Sequence, residues 1–257
     1  MVRQLLAKAG NERTLMVEIT ATTVQVSVLG EDHKPVTWAY RNGELAEVAS
    51  DLAYVDQSTF DVSRFNLANV GGLFRAAEGQ AGSAQDQSLT IVDYSGGEVM
   101  MSVSTVPESR TVFFEPDGEL LPVLNFDTPG GVARGIGDAT GSRVLVHSIT
   151  VQSTQGAWVD YPGDTGTTVR RTRTAKVPVT TNVTAQSGDL PLFLAVKVDP
   201  AAIWKVVDAT RGSGDVPEEA NWSVVIDDRE NTGVPRMYFT IGSKVLVTDL
   251  AGDVVSS

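Results

Sequence analysis

Apolar residues alternate along the early part of the chain, at Leu15, Val17 and Ile19 and again at Val24, Val26 and Val28. A period of two is that of a strand with one buried face. It predicts a long strand here, preceded by a short helical stretch, and a second strand near Val36–Tyr40. The period then changes. Leu67, Val70, Leu73, Phe74 and Ala77 fall three and four apart, the single apolar stripe of an amphipathic helix. Asn66 is its expected N-cap and Gly79 its terminating glycine. Three short strands follow, punctuated by turn chemistry at Tyr94-Ser-Gly-Gly97 and Pro116-Asp-Gly118.

The same order of signals then recurs. Val2 to Thr20 lies over Val132 to Thr150 without a gap, setting Leu15 on Leu145, Ile19 on Ile149 and His147 in the place of Val17. Phe60 to Asn66 lies over Phe193 to Asp199, and Leu67 to Gly79 over Pro200 to Gly212. Leu89 to Asp93 matches Ser223 to Asp227, and Asp117 to Leu121 matches Ala251 to Val255. Segments matched in a shared order predict a duplication. In the second copy the stretch around Val169–Val179 supplies the second strand. The helix starts at Asp199 with Pro200 at its first position, and Asp228 to Gly233 is a turn. The fold expected is α+β: two tandem units, 1–128 and 131–257, each an antiparallel sheet covered by a helix. Thr128-Pro-Gly-Gly131 reads as the linker between them.

Composition narrows the chemistry. The chain has 257 residues, 42% of them hydrophobic and 20% charged, which suits a packed protein. No run reaches the ~18 apolar residues of a membrane helix, and the first residues lack the apolar core of a signal peptide. Membrane association is therefore expected only through a segment absent from this chain. With no cysteine, disulfides, thiolate metal sites and cysteine nucleophiles are excluded. The net charge of −12 argues against nucleic acid as a partner. Residues 1–129 carry 8 Lys/Arg against 18 Asp/Glu and the remainder 12 against 14, so the two copies present different surfaces.

Few residues offer catalysis. His33 lies in the charged turn Glu-Asp-His-Lys-Pro, and His147, alone in its strand, reads as structural without a nucleophile elbow. Gly130, Gly131, Gly135, Gly137 and Gly141 resemble a phosphate loop, but they follow a Pro-Gly linker and feed a strand, which is the wrong context. Asp93 and Asp227 take equivalent places; each ends a strand and starts a turn, where Asp bonds nearby N–H groups. Gly71-Gly72 inside the first helix predicts a close approach by the other copy, by the facing sheet or by a ligand. Arg170, Arg171, Arg173 and Lys176 are the one basic cluster. Arg171 and Arg173 share one strand face, Arg170 and Lys176 the other. They are the candidate partner-binding residues, on an edge strand whose charges either grip an acidic partner or anionic headgroup or discourage aggregation. No cofactor or metal is expected.

The closing pattern Val224-Val-Ile-Asp, Met237-Tyr-Phe-Thr and Lys244-Val-Leu-Val-Thr-Asp-Leu-Ala-Gly-Asp-Val-Val resembles the end of PepSY-type domains. The whole chain is similar to duplicated actinobacterial secreted or membrane-anchored proteins of unknown function. That resemblance implies an extracytoplasmic, non-enzymatic binding or protein-interaction module, with a protein or cell-envelope component as partner. Two other functions stay open: a carrier holding a small apolar ligand or lipid between sheet and helix, and a carboxylate-based hydrolase. A carrier requires a large apolar cavity under the helices. An interaction module is packed solid there and displays an exposed patch.

Overall fold

The computed structural model describes the chain except for residues 11–12, 32, 51, 53–56, 106–109, 186–189 and 256–257. It divides into two compact units, Met1–Pro122 and Val123–Ser257. Unit 1 contains α1 (Val2–Ala9), β1 (Thr14–Ile19), β2 (Thr23–Leu29), β3 (Pro35–Arg41), β4 (Glu44–Val48), a 3-10 turn (Val62–Arg64), α2 (Val70–Ala81), β5 (Ser88–Ser95), β6 (Glu98–Ser104) and β7 (Thr111–Phe114). Its strands form one antiparallel sheet in the order β4-β3-β2-β1-β5-β6-β7. What reads as one long strand is the hairpin β1–β2, reversed where Thr20 N donates to Thr23 O at 2.9 Å. Val17, Ile19, Val26, Ile91 and Met101 form a core with Leu5 of α1 and Leu73 and Ala77 of α2.

Unit 2 repeats this topology with α3 (Pro129–Thr140), β8 (Leu145–Val146), β9 (Ser148–Gln152), β10 (Gly156–Pro162), β11 (Thr167–Arg173), β12 (Thr180–Ala185), β13 (Phe193–Leu194), a 3-10 turn (Ala195–Lys197), α4 (Pro200–Gly212), β14 (Trp222–Asp227), β15 (Arg236–Ile241) and β16 (Lys244–Thr248). The sheet order is β12-β11-β10-β9-β14-β15-β16, strand for strand that of unit 1, and β8 and β13 form a separate ribbon. Each sheet carries two helices on its core face rather than the one expected.

Strand register corrects the sequence match in two places. Val17 lies between Val26 and Ile91, and Ile91 opposite Met101. In unit 2 the same lattice is Ile149 between Val159 and Ile226, with Ile226 opposite Met237. Ile149 therefore holds the place of Val17, and His147 falls in the break between β8 and β9. By the same lattice Asp228, not Asp227, is the partner of Asp93. The ends of the units match as expected: Glu115 N bonds Glu119 O at 2.8 Å, and Asp249 N bonds Asp253 O at 3.0 Å.

The glycine-rich stretch is a helix, not a linker. Thr128 caps α3 through a bond from Gly131 N (3.1 Å), and Pro129 occupies its first turn. The chain divides earlier, at Pro122/Val123, because Leu124 and Phe126 are buried in the core of unit 2. Those residues press on α3: a Cβ at Gly131 would lie 1.8 Å from Asn125 O, and one at Gly135 2.2 Å from the Phe126 ring. Glycine four apart on the buried face is what lets the segment lie on the helix.

The caps of α2 shift too. Asn66 does accept from Ala68 N (3.1 Å), as Asp199 does from Ala201 N (2.9 Å). Without a proline to fix the next residue, the helix begins only after Asn69, whose Oδ1 accepts from Gly72 N at 3.0 Å. Gly71 and Gly72 thus lie in the first turn. The group crowding Gly72 is the Asn69 cap, 2.5 Å from where a Cβ would lie, and not the facing sheet. The second helix of unit 2 ends at Gly212 as expected, whereas α2 runs past Gly79 to Ala81 and is capped by Gly82.

Candidate functional site

The two units differ in how their helices meet. In unit 2, α3 packs on α4 as well as on β9, β10 and β11. In unit 1, α1 lies on β2 and β3, and α2 on β6 and β7. α1 has 8 residues against the 12 of α3, and stops at Gly10 in the left-handed conformation. Between α1 and the segment entering α2 an open groove of about 1580 Å³ remains. Its floor is Ile19 and Val24, paired across the β1–β2 hairpin. Val2 and Leu6 form one wall, and Phe65, Leu67 and Val70 the other.

The duplication tells what this wall is. Val2, Leu6 and Val70 correspond to Val132, Ile136 and Ile203. The unit 2 residues are buried in its core, whereas those of unit 1 are only half-buried. The groove exposes positions that the α3–α4 contact covers in the other copy. It is an apolar surface lacking the aliphatic neighbours its counterpart has.

Charge sits at the rim. Arg3 and Arg64 line the groove from opposite walls and are exposed, and neither side chain makes a hydrogen bond or salt bridge among the described residues. Asp61 and Asp117 are also at the rim. Bonds from Ser63, the backbone N–H (2.8 Å) first and then the hydroxyl, hold the Asp61 carboxyl below its ordinary 3.8, with a smaller contribution from Arg64. Asn66 anchors the far end, its Nδ2 donating to Asp117 O at 2.8 Å and its N–H to Pro116 O at 2.7 Å. The groove thus joins apolar walls to a rim of two cations and two carboxylates, and neither histidine is among its lining residues. Among the described residues no group of three His, Asp or Glu could hold a metal ion.

The predicted basic site comes apart. β11 is not an edge strand, since it pairs with β10 on one side and β12 on the other; the exposed edge is β12. The Thr-rich run Thr180–Ala185 supplies that extra strand. Arg171 and Arg173 do share a face, but it is the buried one. Arg171 Nε donates to Ala139 O at 2.9 Å and Nη2 to Asp138 O at 3.3 Å, occupying carbonyls at the end of α3. Burial pushes its guanidinium below its ordinary value. Arg173 pairs with Asp138 Oδ2 at 3.1 Å and donates to Val177 O at 2.7 Å and to Thr174 O. Arg170 is held by Asp160 in a fork of 2.7 and 2.8 Å, and that hydrogen bonding raises its value. Lys176 alone is simply exposed. Arg171 and Arg173 are thus clamps on a helix end rather than a partner-binding face.

The other candidates are structural. His33 lies in a turn with φ 60°, and His147 Nδ1 is 2.7 Å from Leu190 O. Asp93 accepts from Gly97 N at 2.9 Å and Ser58 N at 2.9 Å. Its counterpart Asp228 accepts from Thr232 N at 2.9 Å and Gly233 N at 2.8 Å, while Asp227 forks to Arg229 at 2.8 Å.

No family model and no curated protein matches this chain. The site stands on its own geometry. Its residues escaped sequence reading because half-buried and buried aliphatics look alike in a periodic pattern. The legible signal was Leu5 set against Gly135, which shows that the first helices of the two copies are packed differently.

Proposed function

We propose that the protein is a non-enzymatic binding protein whose unit 1 carries a long-chain amphiphile with an anionic head. The chain lies along the groove, and the head sits between Arg3 and Arg64. The observation that carries this reading is the open groove of about 1580 Å³ at positions that unit 2 packs shut. An aliphatic chain offers Val2, Leu6 and Val70 the contacts that α4 and α3 offer each other. The volume exceeds the ~300–1,000 Å³ of common small-molecule pockets, which favours an extended ligand over a compact metabolite. The two exposed guanidinium groups at the mouth suit a carboxylate or phosphate. Of the functions open from sequence, the groove supports the carrier over the solidly packed interaction module. The setting we propose is extracytoplasmic, as for the proteins its repeat resembles.

Titration with a dansyl-labelled fatty acid tests this. Saturable enhancement of emission is expected, with Leu6→Asp weakening binding at least about tenfold. Arg3→Gln with Arg64→Gln should weaken the fatty acid but not a fatty alcohol of equal length. Absence of saturable binding by the unaltered protein refutes the proposal.

A further inference from the structure

A short ribbon distinguishes the outer surface of unit 2. Phe193 pairs with Val146 and Leu194 with Leu145, and Ala195 N donates to Val144 O at 2.9 Å. Phe193 and Val146 turn inward and are buried. Leu194 and Leu145 face outward opposite each other, and Leu192, two residues from Leu194, shares its face. Val144, just before β8, and Val196, in the 3-10 turn, flank them. These three leucines are 38–46% exposed, Val144 is 64% and Val196 86%.

The fold does not require aliphatic residues there. In unit 1 the same place is the bridge between Thr14 and Phe60 followed by the 3-10 turn Val62–Arg64. The positions matching Leu145, Leu192, Leu194 and Val196 are Arg13, Thr59, Asp61 and Ser63. One backbone thus carries four polar residues in one copy and four exposed aliphatics in the other. A contiguous apolar surface of this kind marks an interaction site.

Its size and charge select the partner. Five aliphatic residues, 38–86% exposed, present less than the ~800 Å² per partner of a stable protein interface. Insertion into a lipid surface has no such threshold, because each side chain partitions additively. Among the described residues, the charged side chains next to the patch in sequence are Arg143, whose guanidinium lies 4.6 Å from the Tyr161 ring centre, and Lys197, both exposed. Asp199, the first acidic residue after Val196, accepts from Ala201 N at 2.9 Å. The chain's negative charge resides mainly in its first half.

We propose that unit 2 docks on anionic membrane surfaces, with Val144, Leu145, Leu192, Leu194 and Val196 entering the headgroup boundary and Arg143 and Lys197 meeting lipid phosphates. This differs from the sequence expectation that only an absent segment would reach a membrane. The full chain should co-sediment with vesicles of phosphatidylcholine and phosphatidylglycerol at roughly three to one, and weakly with phosphatidylcholine alone. Val196→Asp should lower partitioning about tenfold while leaving circular dichroism, thermal unfolding and fatty-acid titration unchanged. Arg143→Gln with Lys197→Gln should reduce binding to the anionic vesicles and flatten its salt dependence. In place of Val196, a tryptophan (Val196→Trp) should shift its emission to the blue on vesicle addition. Failure of the unaltered protein to sediment with anionic vesicles at low salt overturns the proposal, as does Val196→Asp partitioning like the unaltered protein. So does a self-associated species, seen by light scattering, that Val196→Asp dissolves without any vesicle binding.

Discussion

Replacing Arg173 by serine puts the buried clamp to its strictest trial. The Arg173 side chain is 1% exposed and Asp138, its partner, 20%. Removing the guanidinium strands the Val177 and Thr174 carbonyls, each worth about 1–3 kcal/mol when left unsatisfied. Breaking a buried pair from one side costs about 3–5 kcal/mol. Asp138 keeps Arg134 at 2.7 Å and some solvent, which holds the total within that last range. We expect a loss of about 4 kcal/mol from unit 2, a large share of the ~5–15 kcal/mol of an ordinary domain. Urea unfolding followed by tryptophan emission reads it, because Trp158, Trp204 and Trp222 lie in unit 2 and only Trp38 in unit 1. The midpoint should fall by roughly 2 M. Arg170→Ser is the control. That side chain is 48% exposed, so its pair with Asp160 should contribute no more than about 1 kcal/mol. If Arg173→Ser and Arg170→Ser cost the same, the clamp is no more than a surface pair and the reasoning fails.

Two further outcomes follow from the helix glycines and a surface ion pair. Gly135→Ala drives a Cβ into the Phe126 ring and should destabilise unit 2 by about 1–3 kcal/mol. Gly137→Ala, with nothing within 4 Å, should stabilise by up to about 1 kcal/mol; the two urea midpoints moving in the same direction would contradict this. Asp215 is held below its ordinary 3.8, first by its hydrogen bond from Lys244 and then by Ser213. Its folded value is the lower one, so its stabilising contribution is present above the unfolded value and lost as pH falls through the folded one. Carboxyl NMR should give a midpoint below 3.8, and the difference between the unaltered protein and Asp215→Asn should vanish in acid.

Period and turn chemistry carried much of the architecture: the duplication, the antiparallel sheets and the second helix of each unit follow from residues such as Val17, Val26, Leu73 and Pro200. Registers were less accessible. A strand slipped by two residues keeps the same face inward, so Ile19 lies over Ile149 as comfortably as Val17 does, and only cross-strand partners decide. Gly130 to Gly141 misled because glycine signals a turn in sequence, whereas here Gly131 and Gly135 admit Asn125 and Phe126 against a helix. Arg171 and Arg173 misled for the opposite reason. Charge implies exposure unless a helix end and a carboxylate lie within reach, and those come from residues 138–139, far along the chain. The groove and the outer patch arise where the copies diverge, at Leu5 against Gly135 and at Asp61 against Leu194.

Two units with one strand order pose a hazard during synthesis. β1 pairs with β5 only after some seventy intervening residues have been made, and β14 would later offer the same backbone edge. Tandem copies are prone to such exchange. Hydrogen bonding alone would not prevent it, since the ladders are equivalent. The first helices bear on it: α1 buries Leu5 in its core, whereas α3 presents Gly135 to the Phe126 ring. A hybrid with α1 in the second core would be overfilled, and one with α3 but without its Phe126 segment in the first would be hollow. Divergence at that single contact gives each nascent copy a reason to reject the strands of its sibling.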